Sequence, residues 1–340
     1  MRRVAALLAA ALLVTLAIGC GGGGAEPGAP KGATLVLDFQ PNAVHSGIYA
    51  AQANGYFKDA GVDLHIQEPS STADSAKLLA TGRADFAVMD INDFGIARER
   101  GLDLVAIAAI VQRPLASVIA GDPNEIRAPA DLAGKTIGVT GVPSDDAVLD
   151  TVLRSGGVDP SDVHRVTIGF DAVADLAAGK VDAATGFWNA EGVELRKQGI
   201  PIREFRVDQF GAPRYPELVV ATSAGRLAGE GCDTALALIH GLDSGYLAMK
   251  HSPGAALNDL MSSVSGLDSS SQNAQFASLL AARAFSPSGM GEFTPALSLR
   301  FASRWVRWAR ANGVISSASS GTVASGFRVV TRADVCPLGS

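Results

Sequence analysis

The chain has little of what hydrolytic and metal sites are built from. Among its 340 residues are only five histidines (His45, His65, His164, His240 and His251), scattered without metal-ligand spacing. Neither a G-x-S-x-G elbow nor an H-E-x-x-H helix occurs, so the signatures of a serine hydrolase and of a zinc protease are both missing. Charge is sparse, at 18% of residues, and weighted to acid: 34 Asp and Glu against 28 Lys and Arg, with no basic cluster. An acidic chain without a basic patch is a poor nucleic-acid binder. Cysteine is limited to Cys20, Cys232 and Cys336. What abounds is apolar, 47% of the residues. That is the composition of a globular protein, at a length that suggests two lobes.

The first residues read as an address. Arg2 and Arg3 precede an apolar run from Val4 to Ile18, followed by Gly19 and Cys20. This is a short secretory signal rather than a membrane span. The small residue before Cys20 resembles a bacterial lipoprotein cleavage site; a plain cleaved signal with an incidental Cys is the alternative. On the lipoprotein reading, residues 1–19 are the signal peptide, and acyl chains on Cys20 anchor the protein. Residues 20–32 then hold the lipidated Cys and a flexible Gly-, Pro- and Ala-rich tether. Cleavage removes Arg2 and Arg3 and takes the net charge from −6 to −8. In an oxidising, exported setting the remaining even pair, Cys232 and Cys336, suggests a disulfide, two separate buried thiols being the other outcome.

From Thr34 onward short apolar runs alternate with amphipathic segments. Strands are expected at 34–39, 62–67, 84–89 and 103–110, and helices at 46–59, 72–81 and 91–100. This is the rhythm of βαβ units and a mostly parallel sheet. Pro114 breaks it, and 115–120 reads as a strand crossing to a second unit. There Ser144 caps a helix, strands are expected near 163–168 and 181–186, helices near 171–178 and 189–198, and strands at 201–206 and 217–222 close the unit. After Ser223 the chain turns helical (231–250, 254–262, 271–284, 295–312), and 315–340 reads mostly as loop. The expected fold class is α/β, two lobes joined by two crossovers around a cleft. Residues 33–117 plus 223–340 form lobe I and residues 118–222 form lobe II.

Two runs are specific. D-F-Q-P-N-A-V-H-S-G-I-Y-A-A-Q-A-N-G-Y-F (Asp38 to Phe57) reads as a strand end, a turn at Pro41 and Asn42, and a helix that Ser46 can cap. G-K-V-D-A-A-T-G-F-W-N-A-E-G (Gly179 to Gly192) holds a second strand-to-helix turn. Ligands of open α/β sheets bind outside the carboxyl ends of the strands, so both turns are expected to face the cleft. Together with A-T-G-R-A-D-F-A-V (Ala80 to Val88), A-I-V-Q-R-P (Ala109 to Pro114) and D-L-A-G-K-T-I-G (Asp131 to Gly138), these runs resemble the NMT1/THI5-like solute-binding proteins over nearly all of 33–222. The resemblance implies a type II periplasmic-binding fold and a monomeric receptor, which the N-terminal signal places outside the cytoplasmic membrane, lipid-anchored on its outer face or periplasmic. Such a receptor delivers a thiamine pyrimidine precursor to an ABC permease and its ATPase, and needs no cofactor. Phe39 stands where most relatives are expected to carry Trp.

A flat heteroaromatic ring needs faces to stack on and polar groups in its plane. Phe39 and Trp188 can supply the faces, and Asn42 and Asn189 can each donate and accept. The resemblance places the W-N-x-E motif (Trp188, Asn189, Glu191) in the pyrimidine site. Structural roles compete with these: Trp188 as interlobe packing, Glu191 as a first-turn acid favoured by the helix dipole, His45 as a hydrogen bonder within its turn. Asp90, followed by Asn92, either caps a helix or points into the cleft. Ser117 at the crossover can touch ligand, and Tyr215 near the return crossing is a third stacking candidate or a surface aromatic. The loop Gly138 to Asp146 enters a helix where an anion could sit. Asp145 and Asp146 already occupy its first turn, which favours a neutral or cationic base over a sulfonate, nitrate or phosphate.

The sequence leaves other outcomes open: a receptor for a flavin precursor or a sulfonate- or nitrate-type anion, a module signalling to a membrane sensor, or an enzyme. The eukaryotic branch of the family is a pyrimidine synthase that uses pyridoxal phosphate. Its D-M-G-L-K-A-M-I-H resembles D-F-A-V-M-D-I-N-D (Asp85 to Asp93), which puts Met89 at the synthase lysine and Asp93 at its histidine. A Schiff base needs an amine, and the Cys-rich iron-linked run of the synthase has no counterpart across Ala212 to Leu218. A receptor is therefore expected rather than an enzyme.

Overall fold

The computed structural model describes residues 30–70, 74–141, 143–287 and 293–328. The segment expected to be a signal peptide, Cys20 and Cys336 lie outside the described residues. The strands are β1 (Lys31–Val36), β2 (Val62–Gln67), β3 (Phe86–Asp90), β4 (Leu104–Val111), β5 (Ala116–Ala120), β6 (Thr136–Val139), β7 (His164–Thr167), β8 (Ala183–Phe187), β9 (Arg203–Arg206) and β10 (Leu218–Ser223). The α-helices are α1 (Ser46–Ala53), α2 (Tyr56–Ala60), α3 (Asp74–Ala80), α4 (Ile91–Glu99), α5 (Pro143–Ser155), α6 (Ala172–Ala177), α7 (Glu191–Lys197), α8 (Glu230–His251), α9 (Pro253–Ser263), α10 (Ser269–Ala281), α11 (Leu299–Ala311) and α12 (Ser320–Ala324). Among the described residues no helix is long and apolar enough to cross a membrane. Cys232, buried on α8, is disulfide-bonded.

The strands form two five-stranded sheets of one layout, β2-β1-β3-β10-β4 and β7-β6-β8-β5-β9. Each sheet carries a single antiparallel strand, β10 between β3 and β4, and β5 between β8 and β9. That strand is the one the chain delivers as it crosses from the other lobe. The two lobes form a type II periplasmic-binding fold. The strand expected to close the second unit at 217–222 is β10, and it belongs to the first sheet. Its run L-V-V-A-T is buried throughout, as suits a central strand of a sheet covered on both faces. Chain order pointed to the second unit; the crossover overrides chain order.

Alternation along β4 shows how the first sheet is buried. Val105 and Ile107 enter a core shared with Tyr49 of α1, Phe57 of α2 and Leu242 of α8. Leu104 and Ala106 enter another with Phe94 of α4, Trp305 of α11 and Val323 of α12. The helix expected over 46–59 is broken between α1 and α2 by Gly55, at φ 76°, a left-handed conformation that glycine adopts without a Cβ penalty. The tail expected to be loop contains α12. Phe327, four residues beyond Val323, reaches the same core and bridges Ala106 of β4. Helix α10 touches the other lobe, with Lys197 of α7 paired to Asp268 at 2.7 Å and Ser271 donating to Glu194 at 2.7 Å.

Candidate functional site

The carboxyl ends of β1 and β3 in one lobe, and of β6, β7 and β8 in the other, converge on a cavity of about 120 Å³. Three phenylalanines line it: Phe39 after β1, Phe170 after β7 and Phe187 at the end of β8. All three are half-buried. Phe39 and Phe170 meet edge to face across the cleft, ring centroids 4.7 Å apart at 89°. Five carboxyl groups share the lining: Asp38, Asp90, Asp93, Asp145 and Glu191. Among the described lining residues there is no Lys, Arg or His.

The acids are held in place by local backbone geometry. Asp38 Oδ1 faces His45 Nε2 at 2.9 Å, and His45 Nδ1 accepts the Asn42 backbone N–H at 3.1 Å. Nδ1 thus carries no proton and Nε2–H donates to Asp38. Asp90 caps α4, accepting the Asn92 N–H at 2.6 Å, the first-turn role favoured for a carboxylate. Asp145 accepts from the Thr140 N–H at 2.6 Å and the Gly141 N–H at 3.2 Å. Glu191 opens α7 and accepts the Phe187 N–H at 2.8 Å; a Cβ on Gly186 would crowd it at 3.3 Å.

Burial pushes the acidities of this cluster upward. Asp90 rises well above the ordinary carboxylate range through burial and through the neighbouring Glu217. Asp93 does so through burial and Asp90, against a hydrogen bond from Ser144. Asp145 and Glu191 rise through burial, opposed by their hydrogen bonds. Glu217, behind Asp90, is pushed up to about 7, first by burial. A buried acid with a raised pKa holds a proton in the folded chain that the unfolded chain has released, so stability falls as pH rises. Ligand-free protein is therefore expected to lose melting temperature from about pH 4, the unfolded carboxylate range, up to about 7. A melting temperature constant or rising across that window would refute the burial of these acids.

The family described as NMT1/THI5 like matches residues 42–256. The chain belongs to that family. A formylaminopyrimidine-binding protein of Halalkalibacterium halodurans is 33% identical over 228 residues, 67% of this chain and 69% of that protein. The 4-amino-5-hydroxymethyl-2-methylpyrimidine phosphate synthase THI5 of Saccharomyces cerevisiae is 29% identical over 188 residues, 52% of this chain and 54% of its own length. The alkanesulfonate-binding protein SsuA from Xanthomonas axonopodis pv. citri, solved bound to MOPS, superposes with a TM-score of 0.66 at 17% identity, covering 88% of this chain and 99% of that one. At that identity the likeness is one of fold.

Within this NMT1/THI5-like chain, four of the expected site residues border the cavity: Phe39, Asn42, Asp90 and Glu191. Asn42 also spends its side chain locally, accepting from the Val44 N–H at 3.1 Å and donating to the Gln40 carbonyl at 2.9 Å. Six others do not line it. His45 is fully buried beneath the turn, behind Asp38. Asn92 turns to α11 and accepts from the Trp305 indole N–H at 2.7 Å. Ser117 lies within β5 and donates to the Gly186 carbonyl at 2.9 Å. Trp188 is fully buried, its indole N–H on the Pro114 carbonyl at 3.0 Å and the Arg206 guanidinium 4.3 Å above its ring. Asn189 is fully buried, and neither of its side-chain polar atoms has a hydrogen-bond partner among the described residues. Tyr215 stacks on Trp308 at 5.7 Å, also fully buried. Asp38 and Phe187 sit inside the two specific runs, one residue from an expected site residue each. Phe170 follows a strand end, a signal that the same strand-end rule could have used.

Proposed function

We propose that this chain is the extracytoplasmic substrate-binding receptor of an ABC importer. It captures a small amine-bearing heteroaromatic, a formylaminopyrimidine or 4-amino-5-hydroxymethyl-2-methylpyrimidine, by lobe closure. The observation that carries this reading is the lining: three phenylalanines and five carboxyls with no basic residue among the described ones. An exocyclic amine or a protonated ring nitrogen supplies the hydrogens that these oxygens lack, and the phenylalanines offer faces and edges to the ring. A sulfonate or nitrate would find no basic side chain among the described lining residues to pair with its charge. The cavity volume, about 120 Å³, is below the ~300 Å³ lower end of drug-sized sites, which suits one ring better than a three-ring flavin.

The mechanism is binding with closure. Asp38, Phe39, Asp90 and Asp93 come from one lobe, and Asp145, Phe170, Phe187 and Glu191 from the other. Both lobes contact the ring only when the cleft is closed, and hinge motion then excludes water. Hydrogen bonds to the acids strengthen as the local dielectric falls. Anchoring through a lipidated Cys20, and docking on a permease with its ATPase, complete the reading. The synthase reading is disfavoured because Met89, which has no amine, borders the cavity where the family resemblance puts the synthase lysine.

A thermal-shift panel on the chain from Gly21 tests this, with the two pyrimidines, thiamine, riboflavin, taurine and nitrate. A ligand at a hundredfold excess over its Kd adds about 2.7 kcal/mol, so binders stand out. The pyrimidines alone are expected to raise the melting temperature. A shift with taurine or nitrate alone would overturn the ligand class.

A further inference from the structure

We infer that Glu217 is a positioning residue of this cavity: it shares one proton with Asp90, keeps that ligand-facing acid neutral, and fastens it to both crossovers. The inference rests on reading the cavity as the ligand site. Glu217 lies in the return crossover, one residue before β10, and is fully buried. Its backbone N–H donates to the Val111 carbonyl at 3.0 Å, and its carbonyl accepts the N–H of Ile91, the residue after Asp90, at 2.9 Å. Its side-chain Oε2 accepts the N–H groups of Leu115 and, at 3.3 Å, Ala116. Those two residues belong to the outgoing crossover. One residue therefore joins both hinge segments to the end of β3.

The other oxygen, Oε1, has no N–H or O–H partner among the described residues, and the Asp90 carboxyl lies in hydrogen-bonding contact with Glu217. Two carboxylates this close and this buried cannot both ionise without strong repulsion, so a single proton between them is the stable state. Glu217 already receives two backbone N–H groups and is the better anion. Asp90 carries the proton and donates it to Glu217. Its Oδ1 stays on the Asn92 N–H, with acceptor capacity left towards the cavity. The other charged or titratable groups around the pair do not supply a cation to it. Asp93 follows in the first turn of α4. Asp208 is tied to Arg113 at 2.8 Å, and Arg113 also donates to the Ala282 carbonyl at 3.1 Å. The Tyr215 phenol lies within electrostatic reach of Glu217 and Asp90 and in hydrogen-bonding contact with Asn92, and Arg214 donates to the Arg283 and Ser286 carbonyls at 2.9 and 2.7 Å.

Glu217→Gln separates this role from a merely structural one. The amide oxygen can keep the Leu115 and Ala116 bonds, and the amide N–H can donate to Asp90 in place of the shared proton. Two readouts are needed. In ligand-free protein, the wild type is expected to lose melting temperature relative to Glu217→Gln as pH rises above about 7, as the shared proton leaves and two charges are left in contact. Asp90→Asn should behave like Glu217→Gln in this experiment, which guards against one variant folding poorly. Parallel melting curves for all three proteins would overturn the shared proton. In calorimetric titrations with 4-amino-5-hydroxymethyl-2-methylpyrimidine, the wild-type Kd is expected to weaken by up to about tenfold per pH unit once the proton leaves, and that of Glu217→Gln to stay constant. Parallel Kd profiles would overturn the positioning role. The melts need no ligand, so a probe that fails to bind the wild type at any pH refutes the ligand class while the melts still decide the proton. With the melts divergent and no binding, the pair stands as a hinge element and the positioning claim falls.

Discussion

Trp188→Ala is expected to lower the stability of the protein by about 3–5 kcal/mol, the range for truncating a buried aromatic. The indole is fully buried, and its N–H bonds the Pro114 carbonyl at 3.0 Å. The backbone N–H of Trp188 holds the Leu115 carbonyl at 3.1 Å. The side chain therefore buttresses the outgoing crossover, and its removal leaves a void beside the hinge and an unpaired carbonyl. Phe170→Ala should show the opposite pattern. Its ring is half-buried at the cavity, so stability changes little while pyrimidine affinity falls by about 1–3 kcal/mol, taking base stacking on aromatics as the analogue. Urea unfolding and calorimetric titration of the two variants decide. If Trp188→Ala kept full stability and lost affinity, the indole would be a ligand contact after all.

Glu191→Gln is expected to weaken an amine-bearing pyrimidine by about 1.5–3 kcal/mol, the worth of a hydrogen bond to a charged group, with no loss of stability at pH 8. The amide oxygen can still accept the Phe187 N–H that Glu191 accepts at 2.8 Å, so the helix start survives. What disappears is a buried carboxyl whose ionisation burial already opposes. The protein should thus be equally or more stable at pH 8, since the raised acids withdraw stability as pH climbs. The control is a pyrimidine of the same shape without the exocyclic amine. An equal loss for both ligands would remove Glu191 from recognition and leave it a helix-start residue.

The W-N-x-E turn shows how far residue patterns reach. Strand-end reasoning brought Phe187 through Glu191 to the cleft, and Glu191 borders it, yet Phe187 rather than Trp188 lines the cavity. Strand side chains alternate faces, so an offset of one residue exchanges a ligand platform for a crossover buttress. The turn that follows is irregular, with Ala190 at φ −103° and ψ −84°, and no period predicts where its side chains point. His45 shows the same limit: its imidazole stands one bond behind the cavity, in Asp38's hydrogen-bond shell.

By itself the sequence determined the alternation of strands and helices, the two-lobe α/β class, and the turns at which a site must lie. These follow from local periodicity and turn chemistry, which neighbouring residues carry. It takes the folded chain to show that β10 returns to the first sheet, that Glu217 ties both crossovers to Asp90, and that five acids from four separate turns line one cavity. Each of those depends on contacts between segments tens to more than a hundred residues apart. Their energy comes from shared burial across the cleft, and no window of the chain contains it.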